Sequence, residues 1–232
     1  MSPTFSIVIP VFNEAGFLPT AIPALVSEME GLEAPWRVLI VENGSTDDTA
    51  SVARGLARDL PIEVISLPDA DYGAAMRRGF ELAEGSWVVN FDIDYFSAEF
   101  LSRVVELEGI DLVIGSKRDP GSDDRRPPIR RLATRVFNLL LKTMLGSGVS
   151  DTHGMKAFRS SLVLDLVPAV ASTQDLFDTE LVVRAERAGY RIAEVPVVVE
   201  EIRSAKSSLI KRVPRTVAGL WRIRRSLRAD RR

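Results

Sequence analysis

The chain contains no cysteine and only one histidine among its 232 residues. Disulfides and thiolate-ligated metal sites are therefore excluded, and this composition fits a reducing compartment. The single imidazole, His153, makes a Ser-His-Asp triad a poor explanation of any activity. No stretch of about 18 uninterrupted apolar residues occurs, and the N-terminus lacks the basic and apolar regions of a signal peptide. We therefore expect a cytoplasmic protein without a membrane-spanning helix.

Three widespread functional motifs are also missing. No Gly-x-x-x-x-Gly-Lys-Ser/Thr sequence occurs, which excludes a P-loop. The first apolar run is followed by Val11-Phe12-Asn13-Glu14 instead of Gly-x-Gly-x-x-Gly, so a dinucleotide-binding fold is not expected. The Gly-x-Ser-x-Gly turn of serine hydrolases is absent as well.

Short apolar runs alternate with helical patterns in the first half of the chain. The predicted strands cover 5–10, 36–41, 62–67, 87–92 and 111–115. The predicted helices cover 13–29, 45–57, 73–83 and 98–107. Strands and helices in this order imply right-handed crossovers and a mostly parallel sheet. The fold class that we expect is therefore α/β, with helices flanking the sheet.

The second half is less regular. A loop rich in proline, glycine and charged residues covers 119–128 and is expected to lie near a site. A helix is predicted over 130–145, with a face formed by Leu132, Val136, Leu139, Leu140 and Thr143. The remaining predicted elements are an edge strand over 155–159, a helix over 177–188 and a last strand over 190–200.

The net charge of −2 conceals an asymmetry between the two ends of the chain. Residues 203–232 contain 11 lysines and arginines and one acidic residue, Asp230. Subtracting these from the totals of 30 basic and 32 acidic residues leaves 19 and 31 for residues 1–202. We predict one domain over 1–202, followed by a basic amphipathic helix over 203–232.

The basic C-terminal helix is predicted to have one apolar face. Its members are Leu209, Val213, Val217, Leu220, Trp221 and Leu227. A basic helix with such a face and a tryptophan is typical of a segment that lies in a membrane interface. The alternative is that the same face packs on the protein's own domain. Nucleic acid is not an expected partner, because no stacking aromatics are interleaved with the basic residues.

Asp92 and Asp94 follow the apolar run that begins at Trp87. In an extended chain, residues two apart point to the same side, where two carboxylates repel unless a cation lies between them. The carboxyl end of a strand in an open α/β sheet is where ligands usually bind. Hard oxygen ligands suit Mg²⁺ or Mn²⁺ carrying a diphosphate. The alternative is a pair of capping aspartates at a strand-to-helix turn.

Four polar motifs follow successive predicted strands. They are Pro10-Val11-Phe12-Asn13-Glu14, Glu42-Asn43-Gly44-Ser45-Thr46-Asp47, Gly73-Ala74-Ala75 and Asp92-Ile93-Asp94. In this order and at these spacings they resemble a family 2 glycosyltransferase of the GT-A fold. Among these enzymes the chain looks most like the polyprenyl-phosphate (dolichyl-phosphate) mannose or glucose synthases. The resemblance extends from Phe5 to about Ser208.

The resemblance implies a set of site residues. The nucleotide would be bound by Pro10, Asn13, Glu14, Glu42, Asn43, Asp71, Gly73 and Arg77. Asp92 and Asp94 would hold the metal. The two phosphate-bearing substrates would be positioned by Lys117, Arg130, Arg131 and Arg203. Asp178, in Phe177-Asp178-Thr179-Glu180-Leu181, matches a helix start of the family. The chain departs from the pattern in several places: Asn43 replaces an aspartate, Tyr95-Phe96 replaces Leu-Gln after the aspartate pair, Lys117 replaces an arginine, and the motif Asp151-Thr152-His153-Gly154-Met155-Lys156 is one residue short.

The implied activity is inverting transfer of mannose or glucose from a GDP- or UDP-sugar to a polyprenyl phosphate, with Mg²⁺ or Mn²⁺. The enzyme would be peripheral on the cytoplasmic face of the membrane, which leaves room for a membrane partner protein. Two alternatives remain open. One is transfer to a hydroxyl acceptor, with Asp178 or Asp151 as the base. The other is a catalytically silent protein that binds a nucleotide-sugar.

Overall fold

The structure is a computed structural model that describes residues 4–229, except 118, 120, 126, 150–151, 153, 174–175 and 200–208. The strands are β1 (Phe5–Val11), β2 (Trp36–Asn43), β3 (Ile62–Leu67), β4 (Trp87–Asn90), β5 (Leu112–Ser116), β6 (Asp123–Asp124), β7 (Lys156–Arg159), β8 (Ile192–Pro196) and β9 (Val198–Val199). The α-helices are α1 (Leu18–Met29), α2 (Thr49–Leu56), α3 (Tyr72–Leu82), α4 (Ala98–Glu106), α5 (Pro128–Leu140), α6 (Ser160–Leu166), α7 (Phe177–Ala188) and α8 (Leu209–Ala229).

The predicted alternation of strands and helices in the first half is confirmed. β1 to β5 alternate with α1 to α4, and β1, β2, β3 and β4 pair in parallel. The start of the first helix was predicted too early. α1 begins at Leu18 because Asn13 has a positive φ of 54° and the Glu14 amide bonds across to Thr49. Residues 13–17 therefore belong to a loop at the carboxyl end of β1.

One seven-stranded sheet organises the described part of the chain, in the order β3-β2-β1-β4-β7-β5-β8. Side chains alternate across it: Ile7 and Ile9 of β1 pack with α1 and α4, whereas Val8 packs with α3. Both faces of the sheet are thus covered by helices, as a mostly parallel sheet requires. The α/β fold class is confirmed, and the carboxyl ends of β1, β2 and β4 meet at one edge.

The prediction of an edge strand over 155–159 is wrong. β7 lies inside the sheet, antiparallel to both β4 and β5. Ala157 and Phe158 are fully buried, which agrees with a central position. A four-residue strand with one lysine shows no pattern from which two-sided burial could be recognised. As a result, Lys156 lies opposite Asn90 at the carboxyl end of β4.

The C-terminal helices form a small core of their own. α5 continues into a π-helical turn at Leu141–Leu145, and α8 packs against this turn and α7. Leu220 and Leu227 of α8 are buried there, so their prediction as membrane-facing residues is wrong and the packing alternative applies to them. Val213, Val217 and Trp221 remain exposed. Within the described residues, no helix has the length and apolar character needed to cross a membrane.

Candidate active site

The loops after β1 and β2 are tied together by side-chain hydrogen bonds. The backbone amide of Asn13 donates to Ser45 Oγ at 3.0 Å, and the side-chain oxygen Oδ1 of Asn13 accepts from the backbone amide of Thr46 at 2.9 Å. The Glu14 amide donates to Thr49 Oγ1 at 2.7 Å. These bonds hold Asn13 in its left-handed conformation, which asparagine tolerates better than most residues. The structure therefore brings the predicted residues Pro10, Asn13 and Glu14 beside the β2 loop.

Glu42 and Asn43 lie at the end of β2 and are buried. Glu42 Oε1 accepts from the Ser45 amide at 2.6 Å. Asn43 Oδ1 accepts from the Asp71 amide at 2.8 Å. Each side chain thus uses one oxygen to shape the loops. An aspartate at position 43 could accept the same hydrogen bond from the Asp71 backbone amide. Asparagine in its place therefore removes a negative charge but keeps this hydrogen bond.

Gly44 is required where this turn passes the chain that leads to α3. Its φ is +61°, and a Cβ atom there would lie 2.5 Å from the carbonyl carbon of Asp69. Such a contact is far inside van der Waals distance, so only glycine allows the approach. The turn after β2 and the start of α3 consequently form one continuous polar wall.

The start of α3 contains two of the predicted nucleotide ligands. Asp71 caps the helix by accepting from the Ala74 amide at 3.0 Å, and Gly73 is buried in the first turn. Arg77 is placed differently. Its guanidinium donates to the carbonyls of Val167 and Val170 and lies 5.7 Å from the Phe177 ring centroid. Arg77 therefore joins α3 to the segment between α6 and α7, so its predicted contact with the nucleotide does not fit this position.

Asp92 and Asp94 lie in a turn that follows β4. The strand ends at Asn90, and the Tyr95 amide donates to the Asp92 carbonyl at 3.0 Å. Ile93 is buried between them, whereas solvent reaches Asp92 and Asp94 is half-buried. The two carboxylates therefore face away from the core that contains Ile93. The predicted strand 87–92 is two residues too long, but the carboxylates still alternate with a buried residue.

The electrostatic surroundings of Asp92 define the candidate metal position. Although solvent reaches Asp92, neighbouring protein atoms partly desolvate its carboxyl group, and this raises its pKa above the ordinary value. The charge of Asp94 raises the pKa further, while Lys156 and Lys117 oppose the rise. Two mutually repelling oxygen ligands fit a hard divalent cation. No cluster of three or more potential ligand residues occurs within the described ranges, so these carboxylates would leave coordination positions for a diphosphate.

Lys156 and Asp178 form a buried ion pair beside this turn. Lys156 Nζ is 2.8 Å from Asp178 Oδ2 and also donates to the Gly154 carbonyl at 2.8 Å. Asp178 Oδ1 accepts from the Thr179 amide at 2.9 Å. Lys156 is fully inaccessible and Asp178 is 5% exposed. Both oxygens of the predicted catalytic aspartate are therefore already bonded within the protein.

Lys156 was not predicted as a site residue. Its only signal in the sequence is its place at the end of Asp151-Thr152-His153-Gly154-Met155-Lys156, which resembles a motif of the family. Taken by itself, a lysine is most often a surface residue. Its role follows from β7, which sets its backbone opposite Asn90 of β4 and Ile114 of β5. Because β7 is inserted antiparallel between β4 and β5, the positively charged Lys156 lies in the site.

Lys117 follows β5 and reaches the same turn from the other side. Its ammonium group lies 5.7 Å from the centroid of the Tyr95 ring. Gly154, with a φ of +111°, leaves room for it, since a Cβ atom there would be 3.2 Å from Lys117 Nζ. The structure thus brings Lys117 and Lys156 together beside the aspartate pair.

Tyr95 and Phe96 stand where the resemblance implies Leu-Gln. They line a cavity of about 280 Å³ together with Phe100, Met155 and Val197. This volume is just below the range of about 300–1,000 Å³ that is usual for ligand pockets. The replacement therefore exchanges an amide for aromatic surface next to the aspartate turn.

Of the three arginines predicted to position the phosphates, the structure describes two. Arg130 is half-buried in the first turn of α5, whereas Arg131 is exposed to solvent. Their side chains cannot face the same way because successive helical residues are about 100° apart. Arg203 lies outside the described residues, as do Asp151 and His153.

The glycosyl transferase family 2 model matches residues 6–166 of the chain. Glycosyltransferase AglD of Haloferax volcanii is 32% identical over 216 residues, which cover 89% of this chain but only 34% of AglD. The chain thus spans about a third of that relative. Polyprenol monophosphomannose synthase of Mycolicibacterium smegmatis is 34% identical over 208 residues, covering 84% of this chain and 77% of the synthase.

Solved structures agree on the fold. Mannosyl-3-phosphoglycerate synthase from Rubrobacter xylanophilus matches 99% of this chain and 76% of its own, with a TM-score of 0.71 and 22% identity. Glucosyl-3-phosphoglycerate synthase from Mycobacterium tuberculosis, in complex with Mn²⁺ and UDP, matches 95% of this chain and 78% of its own, with a TM-score of 0.67 and 20% identity. The fold is that of the GT-A glycosyltransferases, and the chain belongs to glycosyl transferase family 2.

Proposed function

We propose that this glycosyltransferase moves mannose or glucose from a GDP- or UDP-sugar to a polyprenyl phosphate, with inversion at the anomeric carbon. The choice of a phosphate acceptor rests on the Asp178 carboxylate, whose two oxygens both accept hydrogen bonds from the protein itself. A hydroxyl acceptor needs a base within hydrogen-bond reach to take its proton. A phosphate oxygen is already ionised at neutral pH and needs none.

The bonds around Asp178 argue against its use as a base. Lys156 Nζ and the Thr179 amide each occupy one of its oxygens, and its side chain is almost inaccessible. A proton accepted there would disrupt a buried ion pair, which costs several kcal/mol. Asp178 is better explained as the group that orients the Lys156 side chain. This assigns the predicted catalytic aspartate a positioning role.

The transfer itself needs one bond formed and one broken. An oxygen of the acceptor phosphate attacks the anomeric carbon, and the bond from that carbon to the nucleoside diphosphate breaks on the opposite face. Asp92 and Asp94 would hold Mg²⁺ or Mn²⁺, which would supply positive charge to stabilise the leaving diphosphate. Lys117 and Lys156 add positive potential beside the same turn.

The nucleotide is proposed to lie along the loops after β1 and β2. Asn13, Glu14, Glu42, Asn43 and Asp71 border one polar wall there, which the hydrogen bonds between the loops hold in shape. A preformed wall lowers the cost of ordering the site when the donor binds. Arg130, half-buried at the start of α5, is the better placed of the two α5 arginines to approach the acceptor phosphate.

Similarity to a polyprenol monophosphomannose synthase over most of the chain supports the lipid-phosphate acceptor. A relative named for that product is 34% identical, which makes a related acceptor chemistry reasonable. The membrane surface, its cytoplasmic face and a separate membrane partner protein belong to the same proposal. They follow from the acceptor, which is anchored in a bilayer by its polyprenyl chain.

A transfer assay with purified protein tests this proposal. It would combine GDP-mannose or UDP-glucose with Mg²⁺ or Mn²⁺, in the presence and absence of a polyprenyl phosphate. We expect nucleotide release only when the lipid phosphate is present, and loss of at least about a hundredfold in Asp94→Ala or with a chelator. Release that requires a sugar hydroxyl instead would refute the phosphate acceptor.

The role of Asp178 is tested in the same assay with Asp178→Asn. If Asp178 is a positioning residue, kcat with the phosphate acceptor falls by less than about a hundredfold and the pH profile keeps its shape. Loss of the acidic limb of the profile would instead identify Asp178 as a base. Glu106→Gln, at the exposed C-terminal end of α4, is a control that should leave both parameters unchanged.

A further inference from the structure

α5 exposes an unusually apolar face. Four of its aliphatic side chains are solvent-accessible: Ile129 at 63%, Leu132 at 53%, Val136 at 50% and Leu139 at 61%. Their spacing of three, four and three residues places them in one stripe along the helix. Scattered exposed leucines need no explanation, but a contiguous stripe marks an interaction surface.

The stripe is not the side by which α5 attaches to the domain. Asn138 is buried and Phe137 and Leu140 are partly buried, and the latter two pack on the small core formed with α8. Asn138 lies about 160° from Val136 around the helix, whereas Leu140, one turn after Val136, lies at the edge of the stripe. Most of the apolar face predicted for this helix is therefore turned outward.

Basic residues border the stripe on one side. Arg131 and Arg135 are exposed and one helical turn apart, and Lys142 is exposed just beyond the helix. Between Pro128 and Leu145 the sequence contains no acidic residue. An apolar stripe beside a purely basic one matches the interface of an anionic bilayer, where acyl chains lie below phosphate headgroups.

A second copy of the chain fits this face less well. In a twofold symmetric contact the same patch meets itself, so Arg131 and Arg135 would approach the arginines of the other copy. α8 is also a weaker candidate for the main contact, because Leu220, Ile223 and Leu227 are buried in the domain. Its exposed Trp221 is covered in part by Arg225, whose guanidinium lies 4.8 Å from the ring centroid.

We propose that the outer face of α5, formed by Ile129, Leu132, Val136 and Leu139 and bordered by Arg131 and Arg135, docks on an anionic lipid surface. This inference rests on the proposed function, because a polyprenyl phosphate acceptor lies in a membrane. Arg130, which is proposed to approach the acceptor phosphate, lies on the inner side of the same helix. Docking of the outer face would therefore bring the bilayer surface close to Arg130. Docking needs no sugar donor and can be measured without turnover.

Vesicle flotation tests the docking surface. The two probes are vesicles of phosphatidylcholine alone and of equal parts of phosphatidylcholine and phosphatidylglycerol. We expect the unmodified chain to float only with the anionic vesicles, and Leu132→Gln/Leu139→Gln to bind at least about tenfold more weakly. Glutamine keeps the helix propensity of leucine, so the helix should persist. Leu164→Gln, at an exposed leucine of α6, is the matched control and should bind normally.

Two further variants make the result independent of a single pair. Ile129→Gln/Val136→Gln should weaken binding in the same way as the leucine pair. Arg135→Gln should weaken it by about fivefold at low salt and reduce its salt dependence.

Three results would overturn the proposal. The first is absence of binding to anionic vesicles by the unmodified chain, and the second is unchanged binding by both stripe variants. The third is a dimer that Leu132→Gln/Leu139→Gln dissociates, which would make the face an interface between copies. Transfer to a short-chain, water-soluble phosphate acceptor tests the proposed function separately, since that reaction requires no bilayer.

Discussion

Replacement of Lys156 by methionine is expected to destabilise the fold by about 3–5 kcal/mol. Methionine is close to lysine in length and fills the same space without its charge. The ammonium group donates to Asp178 Oδ2 and to the Gly154 carbonyl, both at 2.8 Å. Without it, the Asp178 carboxylate remains buried with no cation beside it. Domains of this kind are stable by only about 5–15 kcal/mol, so the loss would be a large part of the total.

An exposed ion pair provides the comparison. Arg103 and Glu99 are separated by 2.6 Å, which is shorter than the distance in the buried pair, but their side chains are 37% and 72% exposed. Arg103→Met should therefore cost no more than about 0.5 kcal/mol, because water screens the attraction and replaces the bond. If distance rather than burial determined the effect, this variant would be the more damaging of the two.

The double variant Lys156→Met/Asp178→Asn completes a thermodynamic cycle. Removing both charges avoids leaving either one unpaired, so we expect the double variant to be more stable than Lys156→Met. The coupling energy between the two positions should be at least about 2 kcal/mol. Urea unfolding followed by tryptophan fluorescence and by circular dichroism gives the free energies, and agreement of the two probes checks that the transition is two-state.

Two outcomes would refute this reasoning. One is a Lys156→Met variant within about 1 kcal/mol of the unmodified chain, which would mean that the carboxylate is solvated or neutralised without cost. The other is simple additivity of the two single losses, which would mean that the pair does not interact.

Three smaller predictions follow. Gly44→Ala should cost about 2 kcal/mol and weaken nucleotide binding measured by calorimetry, because its φ is +61° and the new methyl group would meet backbone. The hydrogen bond to Asp165 raises the pKa of Tyr190 to about 12. This bond favours the neutral phenol, so its small contribution to stability is present below about pH 10 and is lost between pH 10 and 12; Tyr190→Phe should flatten the decline in melting temperature over that range. Gly219→Ala should cost about 1 kcal/mol in urea unfolding, since the added Cβ atom would lie 2.3 Å from Leu176 Cδ1.

The first half of the fold was predictable because local signals agree there. Each apolar run ends in polar or glycine-containing residues, and each helix that follows has an apolar face of the right period. The exceptions arise from contacts across the chain. Asn13 and Glu14 were assigned to a helix because no local signal shows that Ser45 and Thr49 hold them in a loop.

The second half was less predictable because its pattern has two interpretations. Leu132, Val136 and Leu139 have the spacing of a core face, and periodicity alone does not say whether an apolar face meets protein or another medium. Likewise, Leu220 and Trp221 are neighbours in sequence, but one is buried and the other is exposed. The positions of the π-helical turn and of α7 together decide which side of α8 is covered.

The candidate site was predicted from motifs at the ends of strands, and the structure brings most of these residues to one edge. What sequence could not show is how many of their polar atoms the protein itself uses. Arg77 and Asp178 were predicted to contact substrates, but their groups bond to backbone and to Lys156. Residue type and spacing indicate which groups can take part, whereas their availability depends on packing.

The insertion of β7 has a consequence for the order in which the protein assembles. β4 and β5 do not pair with each other, because β7 lies between them and comes 40 residues after Ser116. A growing chain that ends at Ser116 therefore contains five strands but lacks the one that joins the last of them to the rest. β5 can attach, and Lys156 can reach the aspartate turn, only after residues 156–159 have left the ribosome. Since pairing of strands distant in sequence is slow, we expect closure of this gap to limit the rate of folding, and the site to form at the end of the process.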